Sequence, residues 1–193
     1  MTNYFNPTRT NAYRHFGTCL SNILISEASC CHSFVLLCIG TDRVTGDCLG
    51  PLVGQQLTSL RQKSCTTTGY DVYGTLETPV HALNLSSCID QIYNDYSSPY
   101  IIAIDASLGS ANHVGYITLS TDPLYPGQGI HKKIPAIGSL SITGIVGSSN
   151  PPQVWTLQNT RLYSVIRLAG CISAGIHYGF EQFHAKKHSY SSL

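Results

Sequence analysis

Two uninterrupted apolar runs constrain the fold of this chain more than any other feature. Residues 34–39 (FVLLCI) and 100–104 (YIIAI) carry no charged side chain, and each has the length of a β-strand. Strands that are apolar on both faces are typical of parallel sheets with helices on each side. The first run stops at Gly40 and the second at Asp105. We therefore expect two buried parallel strands, each followed by a polar turn.

The segments around these runs alternate between helical and strand patterns. Helices are predicted over residues 11–30, from the end of a loop at 51 to about 62, from Pro79 to about 96, and over 153–183. Further strands are predicted at 70–73, 113–119 and 139–146. This order predicts an α/β fold, a three-layer αβα sandwich with a mostly parallel central sheet. We expect a single domain over 1–193, with an irregular arm at 1–10 and a frayed tail at 184–193.

Composition narrows the function classes. The formal net charge is +1 and only 11% of residues are charged, so no bulk charge favours nucleic acid or a membrane surface. The apolar runs are too short to cross a bilayer, and the first residues do not resemble a signal peptide. Eight cysteines are present without a CxxC pair, which favours free thiols in a reducing cytoplasm.

Acidic side chains are concentrated where a parallel sheet binds ligands. The chain has ten acidic residues, and four of them follow predicted strands: Asp42, Asp47, Glu77 and Asp105. Ligands of open parallel sheets bind beyond the carboxyl ends of the strands. Two carboxylates there could share a proton and activate water, or bind a metal with His81 or His131. Asp47 and Asp105 could also simply cap a helix or a turn.

Other catalytic motifs are missing from the sequence. It contains no phosphate-binding GKS or GKT and no GxSxG, and residues 127–129 (GQG) lack the third glycine of a dinucleotide site. Cys48 is more simply a passive thiol, because its neighbours are not basic. Lys132 and Lys133 could hold a substrate carboxylate or face water, and sequence reasoning leaves both open.

Five blocks closely resemble the YyaC-type sporulation proteins, and the similarity extends over roughly residues 11–175. The blocks are residues 38–51 (CIGTDRVTGDCLGP), 72–82 (VYGTLETPVHA), 102–106 (IAIDA), 141–146 (SITGIV) and 157–162 (LQNTRL). That family is similar to the germination protease, an atypical aspartic endopeptidase that cleaves small acid-soluble spore proteins. Its Thr-Pro-Asp-Ala-Leu-Gly-Pro element resembles residues 45–51, and its Pro-Gly-Ser-Gly loop resembles residues 126–129 (PGQG).

The resemblance implies a sporulation-associated peptidase with a hydrogenase maturation protease-like fold. Asp47 and Asp105 would be its catalytic aspartates. The supporting or substrate-binding residues would be Asp42, Arg43, Glu77, His81 and Lys133. The implied substrate is a small acid-soluble spore protein or another peptide, in the cytoplasm of a sporulating cell or forespore. The implied protein could form a homo-oligomer.

One departure from the maturation proteases favours a metal-free site. Those enzymes add a histidine from a later loop, and residues 133–141 contain none. We therefore expect no cofactor; if a metal is present, its ligands would be Asp47, Asp105 and His131. Two alternatives remain: a non-catalytic sporulation factor that binds a peptide or partner in the same cleft, and a metal-dependent processing protease.

Overall fold

The apolar runs pair at the centre of one sheet. We describe residues 1–63, 69–125, 136–150 and 153–190 of a computed structural model. Within these ranges the strands are β1 (Thr2–Phe5), β2 (Phe34–Cys38), β3 (Asp71–Tyr73), β4 (Tyr100–Gly109), β5 (Ile117–Ser120) and β6 (Leu140–Ser148). Their order is β1-β5-β6-β4-β2-β3. The four strands β6, β4, β2 and β3 are parallel, and β5 and β1 add an antiparallel edge.

Helices cover both faces of this sheet. They are α1 (Ala12–Ala28), α2 (Leu49–Lys63), α3 (Leu85–Asp95), α4 (Gln153–Gln158) and α5 (Leu162–Tyr190). On one face, α1, α2 and α5 pack on alternate strand residues such as Leu36 and Ile102. On the other face, α3 packs on Leu37 and Ala103. Strands β2 and β4 are therefore apolar at every position that the helices cover, as the runs predicted. The predicted α/β sandwich is confirmed.

The chain ends are more ordered than predicted. The predicted irregular arm contains β1, which pairs antiparallel with β5 from Thr2 opposite Ser120 to Phe5 opposite Ile117. The Phe5 ring also packs edge-on against Phe16, with 5.4 Å between ring centroids. The predicted frayed tail is wrong up to residue 190, because α5 continues to Tyr190. Contacts with distant segments order both ends, and a pattern search within a short window does not detect them.

Three predicted boundaries also move. The helix predicted from Pro79 begins only at Leu85, because an ordered turn precedes it. The strand predicted from residue 113 begins at Ile117, after a short 3-10 turn at Ala111–His113. The predicted single C-terminal helix is divided into α4 and α5. Among the residues described, no helix combines the length and apolarity needed to cross a membrane.

Candidate active site

The chain reverses its direction of winding between β2 and β4. From β2 the chain passes through α2, on one face, to β3 on one side of β2. It then passes through α3, on the opposite face, to β4 on the other side of β2. The two helices diverge at this point and leave a crevice beyond the strand ends, which is the usual ligand site of such sheets. The loop after β2 and the second half of β4 border this crevice.

The loop after β2 brings Asp47 back over the end of that strand. Gly40 has φ +143°, a value that side-chain-bearing residues rarely adopt. The Thr41 N–H donates a hydrogen bond to the Asp47 carbonyl oxygen at 3.1 Å. A 3-10 turn at Gly46–Cys48 then leads directly into α2. Asp47 is consequently half-buried at the crevice and is not a freely solvated loop residue.

Asp105 lies within β4, and the prediction that it follows the strand end is wrong. Strand β4 continues to Gly109 because β6 supplies hydrogen-bonding partners beyond the level at which β2 ends. Asp105 is paired in register with Thr143 of β6. Its Oδ1 accepts a hydrogen bond of 2.7 Å from the Ala106 N–H. Asp105 still lies at the level of the crevice. The last pair between β2 and β4 is Cys38 with Ile104, so Asp105 is the first residue of β4 beyond the end of β2.

Burial raises the pKa of both aspartates, and Asp47 also acts on Asp105. Burial, and secondarily the charge of Asp47, raises the pKa of Asp105 well above its usual range, and the Ala106 N–H only partly opposes this. Burial also raises the pKa of Asp47, whereas the Thr41 backbone N–H and the charge of His81 lower it. Two neighbouring carboxyl groups with unequal environments lose their protons at different pH values. The arrangement therefore keeps the proton on Asp105 to a higher pH than on Asp47.

His81 reaches this pair through a bridge between two loops. Val80 forms an isolated parallel bridge with Ile39, and its carbonyl accepts a 2.8 Å hydrogen bond from the Gly40 N–H. The next residue, His81, accepts a hydrogen bond of 3.3 Å at Nδ1 from the Leu83 N–H. A neutral His81 ring in this orientation carries its proton on Nε2. His81 is thus half-buried, and when its ring is protonated its charge lowers the pKa of Asp47.

The other predicted residues are less closely gathered. Asp42, Arg43 and Glu77 are exposed on the loops that follow β2 and β3. The charge of Asp42 contributes to a raised pKa of the Cys48 thiol, after burial and together with Asp47, so Cys48 stays protonated. Predicted residues Lys133 and His131 lie outside the described residues. The structure thus brings Asp47, Asp105 and His81 together. The exposed residues Asp42, Arg43 and Glu77 lie at the periphery of this group.

A metal site receives no support from the residues that surround the pair. Within the described part of the chain, no group of three or more His, Cys, Asp or Glu side chains is placed to hold a metal ion. His131, the expected third ligand, is outside that part. We therefore derive no chemistry from a metal here, and the predicted absence of a cofactor stays a prediction.

A row of hydroxyl groups beside Asp105 was missed at the sequence level. Thr143, opposite Asp105 in register, lies 2.9 Å by its Oγ1 from the Ser107 Oγ and 2.7 Å from the Thr118 Oγ1. The three side chains belong to three adjacent strands. The available signal was the alternation of polar and apolar residues at 141–144 (SITG), which places Ser141 and Thr143 on one face.

Comparisons with known proteins assign a family without a function. A family model described as "Protein of unknown function (DUF1256)" matches residues 4–175. A Bacillus subtilis (strain 168) relative, described as uncharacterized protein YyaC, is 41% identical over 173 residues, which are 90% of this chain and 81% of the relative. The predicted resemblance to YyaC-type proteins is confirmed, whereas a role in sporulation stays a prediction.

One solved structure is similar to this chain at a low level. It is the [NiFe] hydrogenase maturation protease HycI from Thermococcus kodakarensis KOD1, with a TM-score of 0.48 and 15% sequence identity. The match covers 82% of this chain and 98% of that chain. A similarity of this size carries no information about activity.

Proposed function

Because the chain belongs to the DUF1256 family, whose function is unknown, its activity has to be inferred from the site, and we propose that it is a peptidase. The observation that carries this proposal is that Asp47 and Asp105 lie near each other at the crevice between β2 and β4, where the pKa of Asp105 is raised further than that of Asp47. Carboxyl pairs with separated pKa values are suited to simultaneous general acid and general base catalysis. The sequence resemblance to the germination protease supports peptide hydrolysis over other reactions that such a pair could catalyse.

The two aspartates would have opposite roles. Ionised Asp47 accepts a proton from water as the water oxygen bonds to the scissile carbonyl carbon. Protonated Asp105 donates its proton to the carbonyl oxygen. The C–N bond then breaks as Asp47 passes its proton to the leaving nitrogen and Asp105 regains one from a hydroxyl group. The products are a carboxyl group and an amine, and both aspartates return to their starting states.

We further propose that the substrates are small acid-soluble spore proteins or related peptides in a sporulating cell or forespore. The resemblance of residues 45–51 and 126–129 to elements of the germination protease supports this substrate class. Asp42, Arg43 and Glu77, on exposed loops around the crevice, would contact the substrate chain. Lys133, which lies outside the described residues, would also contact the substrate.

Mass spectrometry of spore proteins tests the peptidase proposal directly. Acid-soluble spore proteins are incubated with the wild type and with the Asp47→Asn variant, and new peptide ends are counted. We expect the variant to produce fragments roughly 10²- to 10⁴-fold more slowly than the wild type, because the general base is lost. Equal cleavage by both proteins would refute the proposal. Binding without cleavage by either would instead establish the non-catalytic factor.

Replacing His81 should move the acidic limb of the pH–rate profile. The positive charge of His81 lowers the pKa of Asp47, so the His81→Gln variant should have a higher Asp47 pKa. Activity that requires ionised Asp47 would then be lost at a higher pH as the solution is acidified. The measurement is kcat/KM against pH, with His32→Gln at an exposed position as the control. An acidic limb that stays in place, or moves to lower pH, contradicts this role of His81.

A further inference from the structure

A cavity of about 630 Å³ opens beside His81. It lies between the end of β3, the loop before α3 and the first two turns of α3. His81 lines this cavity and is also the residue whose charge acts on Asp47. Val80 also lines it, and the Val80 carbonyl accepts the 2.8 Å hydrogen bond from the Gly40 N–H. The cavity therefore adjoins the loop that carries Asp47.

The lining side chains of this cavity are neutral apart from His81. The polar ones come from the end of β3, the following loop and α3: Tyr73, Thr78, Asn84, Ser87, Cys88 and Gln91. Burial raises the pKa of Cys88, so its thiol stays protonated. Burial and a hydrogen bond donated to Asp95 raise the pKa of Tyr73, so its hydroxyl also stays neutral. Among the described lining residues there is no carboxylate, ammonium or guanidinium group.

One side of the cavity wall is held by hydrogen bonds, and the other side carries polar groups that a ligand can reach. Both polar side-chain atoms of Asn84 are hydrogen-bonded, since its Oδ1 accepts from the His81 N–H at 2.7 Å and its Nδ2 donates to the Pro79 carbonyl at 3.0 Å. Ser87 donates to the Asn84 carbonyl at 2.8 Å, which leaves its oxygen lone pairs available. Gln91 makes only a 3.5 Å contact with Asp95. Ser87 and Gln91 are both exposed and can form hydrogen bonds with a ligand.

We propose that this cavity is a substrate subsite that binds an uncharged polar side chain of the peptide near the bond to be cleaved. The inference rests on the proposed peptidase function. A charged side chain would lose water without gaining an opposite charge from the lining. An apolar side chain would displace water from Ser87 and Gln91 and leave them unsatisfied. An amide or hydroxyl side chain exchanges its hydrogen bonds with water for hydrogen bonds with these two residues.

Placing a negative charge in the cavity tests this subsite. In the Ser87→Asp variant, the preference for a lysine or arginine side chain at the subsite should be about fivefold greater than in the wild type, because a partly exposed ion pair forms. The matched control is Ser86→Asp on the same helical turn, which is exposed and does not line the cavity. Both changes add the same charge near the start of α3, so only the position differs. The probe is a degenerate peptide library.

Two measurements with that library separate the subsite from the peptidase activity. The first measurement sequences the cleavage sites produced by the wild type and by the two Ser→Asp variants. The second sequences the uncleaved peptides that are retained by the Asp47→Asn variant, with and without each Ser→Asp change. A preference for basic residues that appears with Ser87→Asp and not with Ser86→Asp establishes the subsite. The retained peptides can show this preference even if no peptide is cleaved. Cleavage with identical preferences in both variants overturns the subsite and leaves the peptidase proposal intact. If no peptide is cleaved and none is retained, both the subsite and the peptidase proposal are overturned.

Discussion

Asp105→Asn should give a protein that is inactive and, at neutral pH, more stable than the wild type. Activity falls by roughly 10²- to 10⁴-fold because asparagine cannot donate the proton. Stability rises because the pKa of Asp105 is higher in the folded protein than in the unfolded chain, where it is about 4. The wild type therefore loses stability as the pH rises from about 4 through the folded-state pKa, since ionisation favours the unfolded chain. Asparagine does not ionise and still accepts the Ala106 hydrogen bond.

Denaturant unfolding at several pH values measures this effect. The gain in unfolding free energy from Asp105→Asn should vanish below about pH 3, where the aspartate is protonated in both states, and should grow towards neutral pH. Asp90→Asn, at an exposed position of α3, is the control and should change neither activity nor the pH dependence. A variant that is less stable than the wild type at neutral pH would show that Asp105 is held there as a favourable anion.

Gly40→Ala should lose both stability and activity. The φ of +143° is strained for alanine, and a Cβ at this position would collide with the carbonyl oxygen of Asp47 and lie 3.0 Å from Pro51 Cδ. The loop must shift, so the unfolding free energy should fall by about 2–4 kcal/mol. Displacement of Asp47 from the crevice should at the same time abolish cleavage of the spore-protein substrate.

Gly170→Ala is the matched control for this substitution. Gly170 lies within α5, and a Cβ there would have no heavy atom within 4 Å. Alanine is the better helix former, so this variant should be more stable by about 0.5–1 kcal/mol and fully active. Thermal unfolding and the cleavage assay compare the two variants. If both glycines tolerate alanine equally, the conformation of the loop after β2 does not position Asp47.

Much of the central sheet could be predicted because its information is local. Residues 34–39 and 100–104 are buried on both faces, so each is a continuous apolar run that needs no knowledge of its partners. The ends of elements were harder to predict. Strand β4 extends past Asp105 only because β6 lies beside it, and β1 forms only because β5 offers an edge. Such hydrogen bonds join residues far apart in the sequence.

The candidate site divides in the same way. Asp47 and Asp105 were selected from the sequence because few acids exist and both adjoin apolar strands. The placement of His81 beside Asp47 came from the bridge between Ile39 and Val80. The neutral cavity next to it depends on β3 and α3 meeting in space. Neither feature has a signature within a short stretch of sequence.

The sequence by itself therefore determined the fold class, the family and the two aspartates, since strand burial, motif spacing and residue type are properties of the chain. Only the tertiary structure decided which aspartate keeps its proton. That assignment depends on burial and on charges brought close by folding, because the Asp47 carboxylate acts on Asp105 and His81 acts on Asp47 across the crevice. Electrostatic energies depend on distance and local solvation, and both are set by packing.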